Sequence, residues 1–219
     1  MRFISPWTIT IMIFLIFPIY GALGQSHSFF DNSSGITFQR VVNKYGASFA
    51  VALPPRGDHV SEFIVQMSGS LSYGFAGLST DTNLQGLVLN TWCCAANLDS
   101  FNAFVEGTTS LEMIVSPRVL VGSTLESSNI PIITTVAPSE ITNTNWKITF
   151  RCQNCVNIPG LRGVDPASHN SLFSTVYSDI KPTNVSDAAL EFSSSDVKAI
   201  SFDLAAASIA NYWSFVGKS

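Results

Sequence analysis

The sequence predicts an all-β protein, an immunoglobulin-like antiparallel β-sandwich with a short helical segment near its C-terminus. Three observations predict it. Short runs with apolar residues at alternate positions recur along the chain, each closed by turn chemistry. No long stretch carries helical heptads. The composition, 46% hydrophobic and only 12% charged, is that of a packed domain with a nearly neutral surface.

The elements follow in chain order. Tyr45, Ala47, Phe49, Val51 and Leu53 alternate with smaller or polar residues until Pro54-Pro55-Arg56-Gly57-Asp58 stops the strand. Phe63 to Met67 forms the next run, closed by Ser68-Gly69-Ser70. Tyr73 to Leu78 is strand-like but glycine-rich, which marks a close backbone approach or a bulge. Leu87 to Trp92, Leu111 to Val115, Ile132 to Val136, Trp146 to Cys152 and Leu172 to Tyr177 complete the strands. The helix candidate is Leu204 to Ala210, with Asp203 as its N-cap.

Residues 1–24 read as a signal peptide. Arg2 supplies the positive start, an apolar stretch runs from Ile9 to Ile19, and Ala22-Leu23-Gly24 offers small residues at the recognition positions. The stretch is too short for a membrane span. Cleavage after Gly24 leaves residues 25–219 as a single domain, because no charged or Pro/Ser-rich linker divides them. Phe215 to Ser219 is not the hydrophobic tail of a lipid-anchor signal, so a secreted protein without a membrane anchor is expected. The net charge of −4 over the full chain gives no electrostatic grip on nucleic acid.

The four cysteines fall in two close pairs, Cys93-Cys94 and Cys152-Gln153-Asn154-Cys155. An even count in a secreted chain favours disulfides. Three connectivities are open, of which a local Cys152–Cys155 bridge is favoured. Cys93 and Cys94 are either a vicinal bridge or free buried thiols. Val156 after the second pair excludes covalent haem attachment, which needs His there. The pairs are not spaced as a zinc site. No nucleophile elbow, zinc-protease helix or phosphate loop is present. Asn32-Ser33-Ser34 and Asn184-Val185-Ser186 fit the N-glycosylation rule, which places Asn32 and Asn184 on exposed loops.

Three blocks carry a resemblance. Gly74 to Leu78 followed by Leu87 to Trp92 is one. Asn145-Trp146-Lys147-Ile148-Thr149-Phe150-Arg151-Cys152-Gln153-Asn154-Cys155 is the most specific, and Phe202-Asp203 with Ala210-Asn211-Tyr212 is the third. Together they resemble the cytochrome domain of fungal cellobiose dehydrogenases, a haem b member of the DOMON β-sandwich group, over residues 36–213. That family carries Trp-Lys, then Phe-Arg-Cys-Gln-x-Cys, with a local disulfide. The resemblance implies the same sandwich. It also implies, at most, electron transfer: an electron enters the family's haem from a flavin domain and leaves to a copper polysaccharide monooxygenase.

In the family a Met and a His hold the haem iron. The Met precedes the aliphatic run that ends in Trp, and the corresponding segment here is Thr80 to Gly86, with Asn83 at the ligand position. The His precedes the C-terminal Asp and Tyr, and the corresponding segment here is Phe192-Ser193-Ser194-Ser195-Asp196, with Ser194 at or beside that position. Neither Asn nor Ser supplies the thioether and imidazole of this class. Beyond the signal peptide, Met67 and Met113 read as core residues, and His27, His59 and His169 as loop or solvated ones. No haem is therefore expected, and haem b only if the family's function survives through other residues. The cleft is then left for a small apolar or carbohydrate ligand, or an extracellular protein partner. A further alternative is a copper enzyme: cleavage after Ser26 would expose His27 as an N-terminal metal-clamping residue.

Overall fold

The computed structural model describes residues 24–43, 45–57, 61–82, 84, 86–93, 113–121, 124–161, 163–179, 189–190 and 197–217. Fourteen strands among them build two sheets. The larger sheet has eight strands in the order β1 (Gly24–Gln25), β14 (Lys198–Phe202), β12 (Ser171–Ser178), β6 (Phe75–Ser79), β7 (Val88–Cys93), β8 (Met113–Val121), β9 (Thr124–Ser127), β13 (Ala189–Leu190). The smaller has six: β10 (Ile132–Ile141), β11 (Asn145–Gln153), β5 (Phe63–Ser70), β4 (Ser48–Ala52), β3 (Ile36–Val42), β2 (His27–Asp31). Every pairing is antiparallel except β1 with β14. The sandwich is therefore the one the sequence predicts.

Period-two alternation explains the core. On β11, Trp146, Ile148, Phe150 and Cys152 point between the sheets, and on β5 Phe63, Val65 and Met67 do the same. From the facing sheet, Ala76 and Leu78 of β6, Leu89 of β7, and Phe173 and Tyr177 of β12 meet them. The other side of the six-stranded sheet is buried as well. Phe38 of β3, Ala50 and Ala52 of β4, and Ile64 of β5 pack with Tyr212, Trp213 and Phe215 of the C-terminal helix α1 (Tyr212–Val216). Two-sided burial makes β4 buried at every position, so alternation fades from its sequence.

Polar groups on that covered side are paired. Arg151 grips Glu62 through two hydrogen bonds, Nε to Oε1 at 2.9 Å and Nη2 to Oε2 at 2.7 Å. Asp31 accepts hydrogen bonds on Oδ2 from Ser33, Ser34 and Gln66, and Lys147 Nζ lies 3.2 Å from its Oδ1. Gln66 Nε2 also donates to Thr149 Oγ1, which ties three strands together.

Two expectations are corrected. Leu204 to Ala207 makes a turn, and the helix starts later, at Tyr212. Asp203 does cap that turn, accepting the Ala206 N–H at 2.9 Å. The alanines do not extend it because Leu204 and Ala207 are buried in the core. In addition, Ala207 and Ile209 exchange backbone hydrogen bonds with Leu53. Tertiary pairing overrides helix propensity here. Tyr45 lies before β4 in an exposed turn rather than on the strand, with Gly46 at φ +80°.

The Asp31 cluster makes a pH prediction. Burial alone would raise this carboxyl, but the hydrogen bonds from Ser34, Ser33, Lys147 and Gln66 outweigh it and hold the group well below its ordinary 3.8. A folded-state value below the unfolded one stabilises fully above the ordinary value, and that stability is lost as the pH falls below it. Chemical denaturation from pH 7 to pH 2 should show wild-type stability falling on the acid side. Asp31→Asn should start on the order of 2 kcal/mol lower at pH 7 and lose less on acidification. Parallel curves for the two proteins would exclude the mechanism.

Candidate functional site

The loop between β6 and β7 is built for shape. Thr80 N–H donates to Leu87 O at 2.9 Å, and Thr80 Oγ1 accepts the Leu87 N–H at 3.1 Å, closing the loop at its base. Ser174 Oγ on the neighbouring strand donates to Asp81 O at 2.6 Å. Leu84 is buried at φ 59°, an uncommon conformation for a leucine, and its side chain joins an apolar cluster. A Cβ on Gly86 would meet the Asp81 amide nitrogen at 3.1 Å and the Thr80 hydroxyl, so only glycine lets the loop fold this tightly.

Leu84 faces the side of the eight-stranded sheet that points away from the sandwich core. Phe75, Val88, Leu125 and Val176 are buried there, with Ile114, Leu120 and Val197 packed against them. Asn83 directly precedes Leu84, and Ser194 lies just before Val197. Both positions lie outside the described residues. Their nearest described neighbours, however, meet in one cluster on one face of one sheet.

Two polar side chains are buried beside these apolar ones. Arg118 donates from Nη1 to Leu125 O at 3.1 Å and from Nε to Ser116 Oγ at 3.1 Å. Asn90 is wholly buried, and neither its Nδ2 nor its Oδ1 finds a hydrogen-bond partner among the described residues. Its carboxamide lies over Gly77, where a Cβ would collide with it and with Val176. The sequence marks Gly77 as a close-approach glycine, and Asn90 is what approaches it.

The residue types needed for haem ligation lie elsewhere. Met67 is buried in the sandwich core, where Thr91 Oγ1 donates to its Sδ at 3.3 Å, and Met113 belongs to the same core. His27 sits on β2, with Nε2 3.4 Å from Arg40 Nη2. His169 Nδ1 lies 3.1 Å from Asp203 Oδ1 in an exposed ion pair. His59 lies outside the described residues. Among the described residues no Met–His pair is directed at the apolar face. The donor set does not fit a Met/His-ligated haem.

The remaining predicted residues are placed as follows. Cys152 and Cys155 are disulfide-bonded, with Cα atoms 5.7 Å apart. Asn154 between them adopts φ 60°, which asparagine tolerates better than most residues. The Cys155 N–H donates to Ser61 O, which docks the bridge against the chain entering β5. Asn32 is exposed in the turn between β2 and β3, while Asn184 and Cys94 lie outside the described residues.

A second concavity adjoins the β6–β7 loop. It has a volume of about 250 Å³ and lies between Thr80-Asp81-Thr82 and the segment from Gly163 to Phe173. Sequence reading missed it, because residues some eighty positions apart form it and neither stretch carries a motif.

Fold and site together define a β-sandwich of the cytochrome-domain class. The family model for the cytochrome domain of cellobiose dehydrogenase matches residues 29–214, and the chain belongs to that family. It is similar in structure to the cytochrome b domain of pyranose dehydrogenase from Coprinopsis cinerea. That similarity has a TM-score of 0.70 at 23% identity, over 86% of this chain and 93% of that one. It is also similar to the cytochrome domain of Myriococcum thermophilum cellobiose dehydrogenase. There the TM-score is 0.66 at 19% identity, over 87% of this chain and 94% of that one. No curated protein matches the sequence.

The four-residue segment from Cys152 to Cys155 yields a stability prediction. Closing so short a loop stabilises by about 2 kcal/mol at most. Cys152→Ser with Cys155→Ser should lower stability by no more than that and leave the far-ultraviolet spectrum unchanged. Non-reduced peptide mapping should find the two cysteines linked to each other, and a link from either to Cys93 or Cys94 would contradict this pairing.

Proposed function

We propose that the chain is a secreted cytochrome-family domain that carries no haem and acts as a non-catalytic ligand-binding or interaction module. The observation that carries the reading is the ligand chemistry. Asn83 and Ser194 stand where the family places Met and His, and the described methionines and histidines are engaged elsewhere. The leader sequence and the exposed glycosylation motif at Asn32 support secretion. The partner is a small apolar or carbohydrate ligand, or an extracellular protein. An alternative is a haem b electron-transfer domain serving an extracellular oxidoreductase or polysaccharide monooxygenase. It draws on the apolar cluster at Phe75, Leu84, Val88 and Val176.

A visible spectrum of protein secreted with ample haem supply separates the two. The haem-free reading expects no Soret band. A stoichiometric band with low-spin features on reduction would replace that reading with the electron-transfer one.

The copper alternative requires His27 at the mature terminus. Ser26 argues against that cut. Its N–H donates to Ser201 O at 3.0 Å, and its Oγ accepts the Asp203 N–H at 2.9 Å. Cleavage after Gly24 keeps both bonds. Mass spectrometry should find a chain starting at Gln25, cyclised and blocked. A terminus at His27 with one tightly held copper would establish the enzyme instead.

A further inference from the structure

We propose that the pocket between the β6–β7 loop and residues 163–173 binds a neutral saccharide through a single sugar ring. The proposal rests on the reading of the chain as a ligand-binding module and gives that module a ligand class and a place. At about 250 Å³ the pocket lies just below the usual size range of small-molecule sites and is too small for haem.

Its walls match the two characters of a sugar. Leu172, 43% exposed, and Val164 supply carbon, while the Phe173 side chain turns into the sandwich core. Such a surface takes the C–H face of a pyranose. Asp81, Asp165 and Asn170 supply polar atoms for the hydroxyl rim. Asp165 Oδ1 accepts the Ala167 N–H at 2.9 Å, which leaves Oδ2 as an acceptor for a ligand hydroxyl. Asn170 Oδ1 is held by the Ser201 hydroxyl, which fixes the amide and leaves its two N–H donors without a partner among the described residues.

Charge narrows the ligand further. Among the described residues no Lys, Arg or His lines the pocket, and the two charged lining residues are aspartates. A phosphate or uronate would meet repulsion and no counter-charge, whereas a neutral polyol donates to the carboxylates. Among the described residues no group of three His, Cys, Asp or Glu side chains is placed to hold a metal, which disfavours a cation as the occupant. The walls are also pre-set. Ser174 holds Asp81, the Val164 N–H donates to Val156 O at 3.0 Å, and the Ser168 N–H donates to Asp165 O at 3.2 Å. Binding therefore orders little that is not already ordered.

The test is isothermal titration of the full secreted protein with glucose, xylose, galactose and cellobiose, with glucuronate and calcium chloride as separate arms. At least one neutral sugar should saturate in the millimolar range. Glucuronate should bind about tenfold more weakly than its neutral parent. Asn170→Ala and Asp165→Asn, both at exposed positions, should each weaken binding about tenfold. Ser168→Trp should fill the pocket and abolish binding. Three results would overturn the site: no saturation by any neutral sugar, binding that survives Ser168→Trp, or calcium alone titrating while sugars stay inert. A Soret band in the same sample would retire the haem-free reading while sugar saturation still upheld the site. Haem-free protein that ignores every sugar overturns the site alone.

Discussion

The central strands of both sheets, β4 and β5 in one and β6 and β12 in the other, are buried on both sides, and most of the unusual residues follow from that constraint. A sheet with one wet face places polar residues at every second position. Here the side turned away from the core must pack as well. On the six-stranded sheet, α1 and its aromatic side chains cover Phe38, Ala50 and Ile64. Charged and amide groups caught beneath this cover are held by partners, Arg151 by Glu62 and Gln66 by Asp31 and Thr149. A buried charge without such a partner would cost several kcal/mol, on the order of the whole stability margin of a domain.

The eight-stranded sheet meets the constraint differently. Its outward side carries the Phe75–Val88–Val176 cluster together with small residues, Gly77, Ser79 and Ser174, that leave room for close packing. Asn90 is the exception. Its buried amide has no partner among the described residues, at a cost of about 1–3 kcal/mol for each unsatisfied group. A leucine there would be cheaper in stability. The amide and Leu84 of the β6–β7 loop share this face.

How much of this was legible depends on which periodicity survived. Strands β5, β11 and β12 were readable because large apolar residues alternate and turn residues close each run. Strand β3 was not, because Gln39 and Arg40 interrupt the pattern and both of its faces are partly covered. Strands β1, β9 and β13 have four residues or fewer, too short to carry a period. The alanine-rich stretch near the C-terminus misled because helix propensity is local, whereas Leu53 claims those backbone groups from 150 positions away. The family's fold was legible from blocks of sequence. The polar pocket was not, since Asp81, Asp165 and Asn170 meet only through the pairing of β6 with β12.

The β6–β7 loop joins the apolar face to the polar pocket. Its anchors are the Thr80–Leu87 pair, the Asp81 carbonyl held by Ser174, the buried Leu84 and the tight Gly86. None of these involves the side chain at position 83. A loop whose shape depended on coordinating iron would lose its shape along with the ligand. This one is held by hydroxyl and backbone bonds to its own sheet. The same loop turns Leu84 toward the apolar face and Thr80 to Thr82 toward the polar pocket. One loop thus presents two chemically distinct surfaces.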